Sequence, residues 1–170
     1  MSADLASVIA ATAQWLVRAY PTPGGALTAT LAEVQARQAV TVAAWLRYPT
    51  SIDAALLVVA GPGGSARLDW LAGAESPGPV EPWRTWVDEV VASWAACLLA
   101  DPALAAAAVA ALATGEHMAG LHCDFRRLTR PDETDRGAAS LLRHPDLLAP
   151  VADLHRAELL TRLYPDRAVA

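Results

Sequence analysis

The sequence predicts a mainly α-helical fold, a bundle of about six helices in a single domain over 1–170, with a short β-hairpin around 54–72. Three observations predict it. Apolar residues recur at helical spacing over long stretches, prolines stand where helices start or stop, and only one stretch alternates like a strand. A chain of 170 residues can bury roughly 70% of its unfolded surface, so neither a disulfide nor a metal is needed to fold it.

The first helix spans about Ser2 to Tyr20, capped by Ser2, with Leu5, Val8, Ile9, Trp15, Leu16 and Ala19 on one side. Pro21-Thr22-Pro23-Gly24-Gly25 stops it. A second runs from about Ala26 to Tyr48 through Leu27, Leu31, Val34, Val42, Trp45 and Leu46, although Val40-Thr41-Val42 also suits a strand. Both end alike, in Trp15-Leu16-Val17-Arg18-Ala19-Tyr20-Pro21 and Trp45-Leu46-Arg47-Tyr48-Pro49, with a fainter echo at Leu163-Tyr164-Pro165. This fits either a duplicated helical hairpin or the habit of ending helices with an aromatic and a proline.

Ala55 to Ala60 is a short apolar run, Gly61-Pro62-Gly63-Gly64 a turn, and Ala66 to Leu71 alternates, which predicts the hairpin with Leu68 and Trp70 facing inward. The Pro- and Gly-rich loop 73–82 separates this half from a C-terminal helical part. From Glu81 a continuous helical stripe is expected: Trp83, Trp86, Val87, Val90, Val91, Trp94, Cys97 and Leu98. Asp101-Pro102 starts an alanine-rich helix that closes near Gly115, and further helices are expected at about 116–129, 131–143 and 150–164. Pro131 and Pro150 suit first-turn positions, and Glu158 with Arg162 makes an i,i+4 pair.

Composition excludes more functions than it selects. The net charge of −5 argues against a general nucleic-acid binder. All 13 basic residues are Arg, and the chain has no Lys and no Asn, which removes P-loop and Schiff-base lysines and N-glycosylation and fits the codon bias of a GC-rich bacterial genome. The start, Met1-Ser2-Ala3-Asp4, lacks a basic secretory n-region, and no apolar run reaches 18 residues, so a cytoplasmic protein without a membrane span is expected. Cys97 and Cys123 have no CxxC partner and read as buried thiols.

Gly61-Pro62-Gly63-Gly64-Ser65-Ala66 formally satisfies GxGxxA, but no crossover helix fits before Gly73 and Pro62 removes a backbone donor, so a turn is the better account. No cofactor motif and no nucleophile–base motif is complete: Ser65 is not in GxSxG, and Cys123 beside His122 diverges from it by about 100° on a helix. The densest set of ligand-type residues is 116–124. On a helix His117 and His122 would point about 140° apart, whereas His117 and Asp124 would fall within about 20°. With His155 and Glu158 from another helix, His117 and Asp124 make a candidate metal set for a small ligand- or metal-binding protein or enzyme.

The stronger expectation is a non-enzymatic helical module that self-associates or binds a protein partner, motivated by low charge (18% of residues) and six tryptophans. Trp83 and Trp86, beside the loop, are its candidate interface. Arg126, Arg127 and Arg130, followed at once by Asp132, Glu133 and Asp135, are a second candidate, unless these opposite charges simply pair with one another.

Overall fold

A computed structural model describes residues 3–73 and 80–167, and these are mainly helical. The helices are α1 (Ala3–Ala19), α2 (Ala26–Arg47), α3 (Ser51–Ala60), α4 (Ala66–Leu71), α5 (Glu89–Ala100), α6 (Pro102–Leu112), α7 (Arg126–Thr129), α8 (Glu133–Ala138), α9 (Pro145–Ala152) and α10 (Arg156–Leu163). Single 3₁₀ turns occupy Pro82–Trp86, Glu116–Met118 and Pro165–Arg167.

At the centre, α2 packs against α5 and α1, and α5 packs in turn against α9 and α6. Small residues make this possible. Ala32, Ala36, Ala39, Ala43 and Ala44 of α2 and Ala92, Ala95 and Ala96 of α5 are fully buried, so the two backbones come close without large side chains between them. Leu5, Leu16, Leu98, Leu99, Leu128, Leu142, Leu148 and Leu159 fill the remaining space, and the buried residues form one continuous apolar cluster from α1 to α10.

Buried polar groups hold the C-terminal side of this core. Gln35 of α2 donates through Nε2 to the Asp135 carbonyl (2.8 Å) and accepts at Oε1 from Arg143 Nε (2.5 Å). The same Arg143 donates to the Leu99 carbonyl (3.1 Å) and the Arg127 carbonyl (2.6 Å), so one guanidinium ties four segments. Burial lowers its pKa to about 10, which still leaves it charged at neutral pH. Asp135, fully buried, pairs with Arg127 and closes a capping box with Asp132 at the start of α8.

Several expectations are corrected. Residues 54–72 are not a hairpin: they belong to α3 and α4, and among the described residues there is no strand. Two positions apart on a helix diverge by about 200°, so Leu68 and Trp70 cannot both face inward; Leu68 is buried and Trp70 is 80% exposed. The stripe from Glu81 is broken, because Asp88 is extended and caps α5 by accepting from the Val91 N–H (3.0 Å), leaving only a 3₁₀ turn before it. The span 116–129 is a 3₁₀ turn, an irregular stretch and the short α7, interrupted by Gly120 at φ +73°. Residues 131–143 hold only α8, and Pro131 precedes its cap. Residues 150–164 are split at Asp153–His155, and Pro150 lies inside α9, whose first turn holds Pro145 instead. Cys97 is buried, and burial pushes its thiol up to about 11, but Cys123 is exposed.

No single described helix is long and apolar enough to cross a membrane. The pair α2 and α3 passes by length and composition together, but it is bent by 98° at the break, and one side of α2 forms the core.

Candidate interaction surface

Thr50 and Asp53 decide where α3 begins. The Thr50 side chain accepts from the Asp53 N–H (3.2 Å), and the Asp53 carboxylate accepts from the Thr50 N–H (3.0 Å), a reciprocal capping box. The Thr50 hydroxyl also donates to that carboxylate (2.6 Å), which holds the Asp53 pKa below its ordinary value. The Glu116 carboxylate lies 3.4 Å from the Ser51 N–H, adding negative charge at the positive end of the helix. Gly61 ends α3 at φ +76°, a conformation that side chains rarely adopt, while its N–H closes the last turn on Leu57.

Between these caps α3 is apolar on every side. Only Ala54 and Leu57 are buried. At 100° per residue Ile52, Ala55, Leu56 and Val59 fall on one arc opposite that pair. Ile52 is 71% exposed, Leu56 61% and Val59 87%, with Val58 at 48% on the flank. A helix apolar all round is ordinarily covered all round, yet this chain covers one side of α3. Beside it opens a groove of about 640 Å³, walled by Leu5 and Ile9 of α1, Trp45 of α2, Ala54 of α3, and Leu121. Leu121 is itself exposed.

His117 lies at the floor of this groove, largely buried. Its ring stacks on Trp45 (5.5 Å between centroids, 14° between planes). Its Nε2 lies 2.6 Å from the Tyr48 carbonyl, and because a carbonyl only accepts, Nε2 carries the proton and donates. The hydroxyl of the same Tyr48 donates to Asp88 (2.5 Å). Burial and this carboxylate raise the Tyr48 pKa well above 10.

The candidate metal ligands are distributed differently. Asp124 turns to the Arg126 N–H (2.8 Å), starting the approach to α7. Both ring nitrogens of His155 meet carboxylates, Nε2 at Glu89 (2.8 Å) and Nδ1 at Glu158 (3.0 Å), and Glu89 also faces Arg67 (3.7 Å). Carboxylates only accept, so both nitrogens donate and the ring is an imidazolium. Burial disfavours that charge, but the two hydrogen bonds outweigh it and raise the pKa. His155 and Glu158 are therefore brought together with Glu89 rather than with His117 and Asp124. Among the described residues no three His, Cys, Asp or Glu side chains form a metal-binding group.

The candidate interface residues are likewise engaged. Trp83 and Trp86 are half-buried and packed on the core. The guanidinium groups of Arg18 (5.0 Å) and Arg84 (5.5 Å) both lie over the Trp83 ring. Its indole N–H is buried without a partner among the described residues. Arg84 in turn meets Asp69, which accepts from Trp15 Nε1 (2.8 Å). Arg127 pairs with buried Asp135, Arg126 lies 3.7 Å from Asp132 and 3.9 Å from Asp135, and Arg130 is exposed. Gly61 to Ala66 follow a helix instead of a strand, so the backbone context of a dinucleotide fingerprint is absent there.

The residues that stand out on the surface are thus those of α3, which the reading as a hairpin conceals. One signal for them is present in the sequence: Thr50-Ser51-Ile52-Asp53 has capping-box spacing immediately before an apolar run. No family model, no curated protein and no solved structure matches this chain.

Proposed function

We propose that this chain is a helical assembly module whose working surface is the outward side of α3. The observation that carries the reading is the arc Ile52, Ala55, Leu56 and Val59: a continuous apolar face with no charged residue on it, opposite the face that already packs on α1. An exposed apolar helix face costs solubility and adds nothing to the stability of the isolated chain, so it is best accounted for by protein–protein contact. The interface is placed on α3 rather than on Trp83, Trp86 and the Arg126–Arg130 segment, because those side chains (Arg130 apart) are engaged within the chain.

Native mass spectrometry of the protein taken directly from a cell extract tests this. The wild type is expected in a homomeric or heteromeric complex, and Leu56→Asp is expected to release a monomer. Leu56 is mostly exposed, so the isolated variant should keep its helical circular dichroism and melt within about 0.5 kcal/mol of the wild-type monomer. A wild type that is monomeric in the extract, or a complex that survives Leu56→Asp, overturns the reading.

A further inference from the structure

We propose that the groove beside α3 binds a small organic cation, an ammonium carried on an apolar body, with the body against Leu5, Ile9 and Trp45 and the ammonium at the Glu116 carboxylate. The site takes in Ser51 and Ala54 of α3 and does not depend on the outward arc of that helix.

The groove has the size and rigidity of a ligand site. Its volume of about 640 Å³ falls within the range of small-molecule pockets, and its walls are apolar except at Ser51, Glu116 and His117. Contacts outside the groove set its shape. Trp45 stacks on His117 and meets Phe125 edge-on (6.1 Å, 88°), while the Tyr48 carbonyl holds His117. The Thr50–Asp53 capping box fixes the start of α3. Gly120, at φ +73°, turns the chain so that the Leu121 N–H donates to the Met118 carbonyl (3.1 Å), which sets Ala119 and Leu121 on the wall. A wall held in this way leaves a ligand little ordering to impose.

Charge selects the class of ligand. Glu116 is the only acid on the lining, and no arginine lines the groove. Among the described residues the one donor to its carboxylate is the Ser51 N–H at 3.4 Å, longer than the roughly 2.7–2.9 Å of a strong charge-assisted bond. Most of its accepting capacity is therefore open to a ligand. The positive end of α3 amounts to roughly half a charge. Glu116, with Asp53 in the cap beside it, outweighs that half charge. Arg162 acts on Asp53 but lines a second cavity, one that shares Trp45 and His117 with this groove. An anion would be repelled by Glu116, and a neutral apolar molecule would fill the walls without using the carboxylate. An ammonium on an aromatic or alkyl body uses both, and an indole ring also attracts a cation.

The test is an NMR titration of the purified full chain with 2-phenylethylamine, set against its neutral counterpart 2-phenylethanol and the acid 3-phenylpropanoate. Shifts are expected at the Ala119 and Leu121 amides and the Trp45 indole, saturating with a dissociation constant on the order of 1 mM for so small a probe. The amine should bind about fivefold more tightly than the alcohol, the scale of an ion pair at a solvent-exposed rim, and the acid should bind more weakly than either. Glu116→Gln should bring the amine to the level of the alcohol and leave the alcohol unchanged, which shows that the groove is intact. Ala6→Trp, at an exposed position on the lining, should fill the groove and abolish binding of all three probes while the chain keeps its helical circular dichroism. No shift at these positions with any probe at about 20 mM overturns the inference. So does binding that survives Ala6→Trp, an amine that binds no more tightly than the acid, or a preference for the amine that survives Glu116→Gln.

Discussion

Helices α3 and α5 are alike in composition and opposite in circumstance. Each is short, nearly uncharged and apolar around most of its circumference, and each has an acidic side chain in its N-terminal cap, Asp53 at the third position of α3 and Asp88 as the cap of α5. Around α5 the chain supplies a cover on every side: Val91 to Leu99 are all buried between α2, α6, α9 and α10. Around α3 it covers only the strip of Ala54 and Leu57. The difference teaches that composition sets how much covering a helix needs, whereas topology decides whether its own chain provides it. Where topology stops short, the remaining apolar surface lies in water in the isolated chain.

The largest effect that would break this comparison comes from one deletion made twice. Leu98→Ala in α5 removes a fully buried side chain and should destabilise the monomer by about 3 kcal/mol, read by urea unfolding. Leu56→Ala in α3, measured at concentrations where the chain is monomeric, should cost under about 0.5 kcal/mol, because the side chain is largely in water already. Equal costs at the two positions would mean that α3 is as well covered as α5.

The covered side can be tested through its polar seal as well. Arg143→Met keeps the aliphatic stem but leaves the Leu99 and Arg127 carbonyls and the Gln35 side-chain oxygen without their donor. A loss of about 2–3 kcal/mol is expected. A loss near zero would show that water replaces the guanidinium and that this end of the bundle is open.

How much of this was legible in the sequence follows from what each signal measures. The limits of α1 and α2 and the start of α6 at Asp101-Pro102 are legible because prolines, glycines and caps punctuate them and one face repeats at helical spacing. Helix α3 is not, since an apolar residue at nearly every position carries no periodicity, and Val58-Val59 favours a strand on local propensity. The site suffers similarly. Reading 116–129 as one helix sets His117 and Asp124 on a common face. Gly120 and the Asp124 turn break that helix, and His117 instead closes on Tyr48 and Trp45, contacts that come from α2 and its end, 69 and more residues away. The pairing of His155 with Glu158 is legible from i,i+3 spacing, whereas Glu89, 66 residues off, is not.

That carboxylate bridge gives the smallest expected effect and sharpens how α5 is held. His155 joins Glu89 on the first turn of α5 to Glu158 on α10, with Arg67 also facing Glu89. Its pKa is raised in the folded chain, so the folded state holds the proton more tightly than the unfolded one. The stabilisation is thus fully present below the ordinary histidine value near 6.5 and is lost as pH rises through the higher folded value. With the ring 18% exposed and Glu158 56% exposed, solvent screening keeps the contribution to a few tenths of a kcal/mol, up to about 1. His155→Gln should therefore lower stability relative to wild type more at pH 5.5 than at pH 9, with the two unfolding curves converging as pH rises. A gap that widens toward alkaline pH would mean that the ring is neutral in the folded chain and that the bridge between α5 and α10 is a packing contact, leaving α5 covered by apolar surface alone.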